Sequence, residues 1–393
     1  MQQLAIIGRE KKLAYAEMES VFGTVQKYGN YAVLFDSEQT DSLDSLGSAI
    51  KIGKIIDTVQ TDSRFTERII TYLVSHFKQT QVNSIDFGVS VYGDFMHGND
   101  YKNLLIQIKK SLKRQGIKNR FVVPKQQELN AAQIKHNKLL RTGVEILLVQ
   151  NDGEITIVNT TQIQDIDNYT KRDFGRPSRD MAVGMFPPKL AQIMLNLAQI
   201  TPKTTIYDPF CGSGVVLQEA LLRNNTVWGS DLSEDMVKAS IQNLNWLSHE
   251  YSLSIPFDVF STDATKLGKV PTELYSIVTE GYLGTMLSVV PSEYQLQTLI
   301  TELSKLYIDF LMACKKVSPQ PESIVITLPC WQMSTRSDSQ VEKLKIIDQI
   351  VNLGYTIKQF KSVDSSELIY KRPTQIVGRQ ILVLEPAKHT VDS

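Results

Sequence analysis

The chain has 393 residues, 42% of them hydrophobic and 21% charged, with 42 basic and 42 acidic side chains that cancel. That length predicts two or three domains, and the composition is that of an ordinary soluble globular protein. No apolar run approaches the roughly 18 to 20 residues that span a bilayer, and the opening MQQLAIIGREKKLAYAE lacks a signal-peptide pattern, so the expected location is the cytoplasm with no membrane partner. Cys211, Cys314 and Cys330 are too widely separated for a disulfide framework or a zinc site, and no metal is expected.

Along the chain, the first 62 residues read as a small α/β unit: strand LAIIG, helix LAYAEMESVFG, strand YAVLFD, and a segment running into GSAIKIGKIIDTV. A second unit is expected over 63–168. It alternates helix RFTERIITYLVSHF, strand SIDFGVSVYG, a basic helix, strand RFVVP and helix NAAQIKHNKLLRTG. It closes on ILLVQNDGEITIV, two apolar runs about a turn of hairpin type. Residues 169–188 are polar and turn-rich, with Pro177, Pro187 and Pro188, and are expected to be a linker.

From 189 to 388 strands and helices alternate regularly, which predicts a mainly parallel sheet with helices on both faces. Strands are expected near 204–208, 226–230, 256–260, 275–279, 323–328, 355–360 and 379–384.

Charge is unevenly spread. Residues 101–189 carry sixteen Lys and Arg against eight Asp and Glu. Within Tyr101 to Lys125 there are eight basic residues and no acid. There Leu104, Leu105, Ile108 and Leu112 form an apolar stripe at helical spacing and leave Lys109, Lys110, Lys113 and Arg114 on exposed faces. Such a face suits phosphates, although the same pattern also describes a solvated surface helix. In the linker, Arg172, Arg176 and Arg179 are candidates for RNA phosphate contacts or for holding domains together.

The stretch TTIYDPFCGSGVVLQEALL reads as a buried strand, a glycine-rich turn over Cys211 to Gly214, and a helix from Val215. Small residues let a ligand lie against bare backbone. About twenty residues later VWGSDLSEDM ends a short strand on Asp231, whose carboxylate is placed to accept hydrogen bonds from ribose hydroxyls. The pair points to a nucleoside cofactor. A dinucleotide turn would put pyrophosphate on a helix N-terminus. Asp208 would repel that group, but it suits the ammonium of a methionine moiety, so S-adenosylmethionine is expected rather than NAD. Candidate cofactor contacts are Asp208, Pro209, Phe210, Gly212, Gly214, Asp231, Leu232, Asp263 and Ala264. Asp263 is placed for an adenine amino group, and an acid there is also a common helix cap. Cys211 is a small residue of the turn with no catalytic role.

Thr279-Glu280-Gly281-Tyr282 ends the expected fourth strand. An exocyclic base amine is a poor nucleophile, so its lone pair must be oriented toward the methyl donor, with acceptors for its protons and an aromatic face to hold the ring. Glu280 is the expected acceptor and Tyr282 the stacking residue.

On DPFCGSG, together with LAIIGREKKLAYAEMESVFG, LGSAIKIGKII, FGVSVYG, RFVVPK and YTKRDFGRPSRDMAVGMFPPKLAQIMLNLA, the chain resembles the tRNA (guanine-10-N2) methyltransferase family. The resemblance implies an α/β architecture: a ferredoxin-like unit and a THUMP-like RNA-binding domain ahead of a seven-stranded Rossmann-like methyltransferase sheet. That sheet would have strand order 3-2-1-4-5-7-6 with the seventh strand antiparallel. It also implies S-adenosylmethionine as cofactor, tRNA as partner, methylation of guanine N2, and, in eukaryotic members, a small accessory protein. Where the family carries DPPY this chain reads TEGY, with a longer acid and a glycine in place of proline. An rRNA or DNA amino-methyltransferase would share the catalytic motifs, and a catalytically weak RNA-binding protein would account for the altered loop.

Overall fold

The computed structural model describes residues 2–37, 43–61, 65–80, 82–124, 126–178, 186–202, 204–333, 341–373 and 375–386. The chain divides into two compact units, one of residues 1–11 and 22–168 and the other of residues 12–21 and 169–393.

The first unit is built on one eight-stranded sheet. Its strands are β1 (Gln2–Ile7), β2 (Val25–Tyr28), β3 (Ala32–Asp36), β4 (Ala49–Gln60), β5 (Ile85–Tyr92), β6 (Asn119–Val122), β7 (Val144–Asn151) and β8 (Glu154–Ile163), in the order β2-β3-β1-β4-β8-β7-β5-β6. The expected division near residue 62 is therefore crossed by the sheet, because the long β4 pairs with β1 on one side and β8 on the other. The β7–β8 turn holds Asp152 and Gly153 at positive φ, the conformation a two-residue hairpin turn requires.

Helices α2 (Phe65–Thr80) and α3 (Gly98–Arg114) cover one face. Ile69, Leu73, Leu104, Leu105, Ile108 and Leu112 pack there against Phe87, Val89 and Ile146. The stripe read from the sequence is buried, and Lys109, Lys110, Lys113 and Arg114 are exposed, with Lys109 over the Phe121 ring. Inside the sheet Lys51 on β4 meets Glu145 on β7 at 2.5 Å, both side chains sealed from solvent. Ser90 and Thr160 donate to the two oxygens of that carboxylate. Such a network fixes which strands lie side by side.

The second unit carries β9 (Thr205–Asp208), β10 (Val227–Asp231), β11 (Phe257–Ser261), β12 (Tyr275–Glu280), β13 (Ile324–Gln332), β14 (Val341–Lys343), β15 (Tyr355–Ile357), β16 (Ile369–Tyr370) and β17 (Val377–Pro386). The main order is β11-β10-β9-β12-β13-β17-β15, with β14 on β13 and β16 on β17. Counting the seven main strands along the chain, this is 3-2-1-4-5-7-6, and the β17 strand runs antiparallel to both neighbours. The order reverses direction at β9, the point where such sheets open a ligand crevice at their carboxyl ends.

Helix α9 (Glu293–Lys316) starts with a capping box between Ser292 and Gln295 and lays Leu303, Tyr307 and Phe310 on a core that includes Tyr207, Tyr275 and Trp331. The remaining helices are α1 (Lys11–Phe22), α4 (Ala131–His136), α5 (Ile166–Phe174), α6 (Pro188–Leu197), α7 (Val215–Leu221), α8 (Glu234–Glu250) and α10 (Ile347–Asn352). Although α1 follows β1 in the chain, its residues 12–21 cluster with the second unit, where Glu17 accepts from the Asn196 amide at 2.6 Å. The expected N-terminal unit is thus not closed on itself. No helix among the described residues is long and apolar enough to cross a membrane.

Candidate active site

At the carboxyl ends of β9, β10, β11 and β12 lies a cleft of about 680 Å³. Asp208 and Asp231 are the last residues of β9 and β10, Asp263 follows β11, and Glu280 ends β12. All four line this one cleft, with Pro209, Phe210, Gly212, Leu232, Ala264 and Tyr282. Of the expected cofactor contacts only Gly214 is not in the lining.

Gly214 has a different task. It is the left-handed N-cap of α7, with φ +81°, and a Cβ there would come 2.4 Å from Ser240 Oγ. It lets α7 start hard against α8. Gly212 is also left-handed, with φ +49° and open space where a Cβ would stand, so its backbone is bare toward the cleft. Its N–H donates to Asp231 Oδ2 at 2.9 Å, and the Ser233 N–H donates to Oδ1 at 2.9 Å. Two backbone donors thus hold the Asp231 carboxylate in one pose while each oxygen keeps further acceptor capacity.

Asp208 is 2% exposed. Thr279 donates to its Oδ1 at 2.6 Å and the Phe210 N–H at 3.1 Å. Burial pushes this carboxyl up to about 8 against those hydrogen bonds, with Asp231 and Glu280 adding repulsion. A buried acid in this condition attracts a cationic ligand, whose charge stabilises the ionised form. The Cys211 thiol is raised well above its ordinary range by burial and the two nearby aspartates, so it stays a neutral thiol, consistent with a space-filling role.

Asp263 caps the short turn Ala264–Lys266, accepting from the Thr265 N–H at 2.9 Å and its hydroxyl at 2.7 Å. Those bonds, with Lys266, lower its pKa. The helix-cap reading therefore holds, while the residue also faces the cleft. Leu232 is 76% exposed at the rim. Phe210 stands edge-on to Phe310 at 5.2 Å, which stiffens the opposite wall.

Glu280 accepts from Arg379 Nε at 2.5 Å, with side chains 23% and 5% exposed. Burial raises the Glu280 pKa and Arg379 opposes the shift. Tyr282 is half exposed at the mouth, and its carbonyl accepts from Tyr307 Oη at 2.9 Å. Gly281 does not loosen the loop: a Cβ there would stand 2.4 Å from Tyr307 Oη and 2.5 Å from the ring carbon Cε1. The same ring that holds the Tyr282 carbonyl fills the space a proline would need.

Of the linker arginines, Arg172 corrects the sequence expectation of a phosphate contact. It is buried, its Nε 2.7 Å from Glu219 and its guanidinium 4.6 Å from the Tyr169 ring, which makes it internal glue. Arg176 is buried at the cleft. Arg179 lies outside the described residues.

Arg379 and Thr279 were not anticipated. The available signal for Arg379 was a lone cation inside the apolar run VGRQILVLE, since a buried charge requires a partner. Residues 370–373 do not line the cleft; Tyr370 pairs with Arg379 in the β16–β17 ladder. Among the described residues no group of His, Cys, Asp and Glu is arranged to hold a metal.

Residues 176–327, which contain every acid of the cleft, match the family model described as "RMKL-like, methyltransferase domain" (UPF0020). This segment is similar to an RMKL-like methyltransferase domain. The chain holding it is 24% identical over 263 residues, 63% of its length, to a Methanocaldococcus jannaschii protein named tRNA (guanine(10)-N2)-dimethyltransferase, covering 70% of that relative. A Methanothermobacter thermautotrophicus protein of the same name is 33% identical over 128 residues, but the match spans only 34% of that relative and 33% of this chain. In fold, the chain is similar to TrmN from Thermus thermophilus, with TM-score 0.51 at 15% identity, covering 98% of this chain and 100% of that one.

Proposed function

We propose that this chain transfers a methyl group from S-adenosylmethionine to an exocyclic base amine of RNA, guanine N2 in tRNA. One observation carries the reading: four acids at the ends of four adjacent parallel strands converge on a single cleft beside a bare glycine turn and an exposed tyrosine. An adenosine fits the rim, with Asp231 accepting from the ribose hydroxyls, Leu232 and Ala264 flanking the adenine, and Asp263 near its amino group. The bare backbone at Gly212 and the buried Asp208 carboxylate suit the cationic methionine end.

S-adenosylmethionine, held by Asp208, Gly212 and Asp231, would supply an electrophilic methyl on a sulfonium. Glu280 accepts a hydrogen bond from the amine and so turns its lone pair toward the donor. Tyr282, pinned through its carbonyl, offers a face on which the base stacks. Water is kept from the methionine end by Phe210 and Phe310.

The N-terminal unit, read as ferredoxin-like and THUMP-like, grips the RNA. Its exposed Lys109, Lys110, Lys113 and Arg114 supply phosphate contacts along one helix. That the relatives are named for tRNA (guanine(10)-N2) methylation favours tRNA as the partner, and a tRNA substrate favours the cytoplasm.

The test is incubation of the purified chain with methyl-labelled S-adenosylmethionine and unmodified tRNA transcripts, followed by nucleoside analysis. Label in N2-methylguanosine is expected. Label only in another nucleoside would reject the guanine assignment, and RNA binding with no cofactor binding would make the chain an RNA-binding protein on a methyltransferase scaffold.

A further inference from the structure

We propose that Arg379 is a positioning residue for Glu280 and that the two together select guanine. This rests on the methyl-transfer reading of the cleft.

The geometry is specific to this chain's TEGY loop. Arg379 lies on β17 and Glu280 on β12, with β13 between them; Thr327 of β13 pairs with Glu280, and Pro329 with Arg379. The arginine reaches back over β13, and its Nε takes Oε1 of the carboxylate at 2.5 Å. Phe186 covers the guanidinium at 5.8 Å, and Glu280, Arg379, Phe186 and Tyr282 all line the cleft.

A carboxylate can only accept, and a guanidinium can only donate, with more N–H groups than the one given to Glu280. Side by side they present an acceptor next to donors. Guanine's pairing edge is the complement: two adjacent N–H donors, on N2 and N1, followed by the O6 acceptor. Adenine and cytosine offer an amine followed by a bare ring nitrogen, which would set lone pair against carboxylate. A site that leaves such groups unpaired rejects the wrong base. An Asp one methylene shorter would fall back from Arg379, so the longer acid is what allows the pair to form.

Other charged or titratable groups face Glu280. Asp208 approaches from β9, Tyr307 from α9 and Arg372 from the turn before β17. Removal of Arg379 leaves the glutamate against burial, with Arg372 as the remaining cation.

The experiment compares the full chain with Arg379→Gln, Arg379→Lys and Glu280→Gln. It measures S-adenosylhomocysteine affinity, the pH dependence of methyl transfer to tRNA transcripts, and the distribution of label among nucleosides. Arg379→Gln is expected to bind the cofactor product normally, to lose about tenfold or more in rate, and to shift the acid limb of its profile to higher pH. Arg379→Lys should recover part of both. Glu280→Gln, which can donate as well as accept, should raise the share of label in methylated adenosine or cytidine. A rate loss in Arg379→Gln equal at every pH, with an unchanged product distribution in Glu280→Gln, would overturn the proposal while the wild-type N2-methylguanosine still supported the function. Where Arg379→Gln fails to fold, Arg379→Lys decides by the same pH comparison. A wild-type chain that binds S-adenosylhomocysteine but labels no guanosine overturns both readings.

Discussion

Two glutamates in this chain meet a cation at the same 2.5 Å, Glu145 with Lys51 and Glu280 with Arg379, and their surroundings give them opposite tasks. Glu145 is sealed, and Ser90, Thr160 and Lys51 occupy both of its oxygens. No ligand reaches a carboxylate buried this completely, so that pair can only set strand register. Glu280 has one oxygen held by Arg379 and a side chain 23% exposed at a cleft. Spare acceptor capacity facing a cavity, and not the ion pair itself, separates a site from a structural brace.

The sharpest way to break the comparison is to delete each carboxylate. Glu145→Ala strands a buried ammonium and is expected to cost about 3 to 5 kcal/mol of stability, read by denaturant unfolding, while the folded fraction keeps its cofactor affinity. Glu280→Ala strands the Arg379 guanidinium, 5% exposed, and so also costs stability, but in addition methyl transfer by the folded fraction should fall on the order of 100-fold. Undiminished methyl transfer per folded molecule in Glu280→Ala would make Glu280 another brace.

A smaller effect is expected at Asp231. Replacing it with alanine removes the partner of the Gly212 and Ser233 N–H groups and should weaken cofactor binding by about 1 to 3 kcal/mol in calorimetry. Unchanged affinity would remove its ribose role.

A separate effect is one of pH. Asp208 holds its proton to about 8 in the cofactor-free fold, against an ordinary value of 3.8. Its contribution to stability is therefore complete below about pH 4 and is lost as the pH rises to about 8. Asp208→Asn should flatten the decline of the melting temperature across that window; the same slope in both proteins would assign the titration elsewhere.

The cleft was legible where its chemistry is local. Asp208, Gly212 and Asp231 sit in turns whose residue types announce a bare backbone and an acid at a strand end, and Asp263 follows its strand closely. The sheet order came from resemblance to a family, because pairing between distant strands leaves no trace in local periodicity. Arg379 escaped for that reason: it is 99 residues from Glu280 and meets it across an intervening strand. Arg172 stayed open between a phosphate contact and internal glue because its partner Glu219, on a helix further along, is distant in sequence. The eight-stranded sheet hid behind a low-complexity-free stretch of ordinary alternation, and only the length of β4 gives its continuity away.

The contact between Gly281 and Tyr307 also constrains the loop's history. A proline introduced at 281 would collide with the phenol ring, so a single replacement cannot convert TEGY to the proline-bearing version without first carving space at 307. Removing Tyr307 first would release the Tyr282 carbonyl and open the core beneath it. Each substitution alone costs contacts that the other residue supplies, so the effects of changes at 281 and 307 are expected to be coupled.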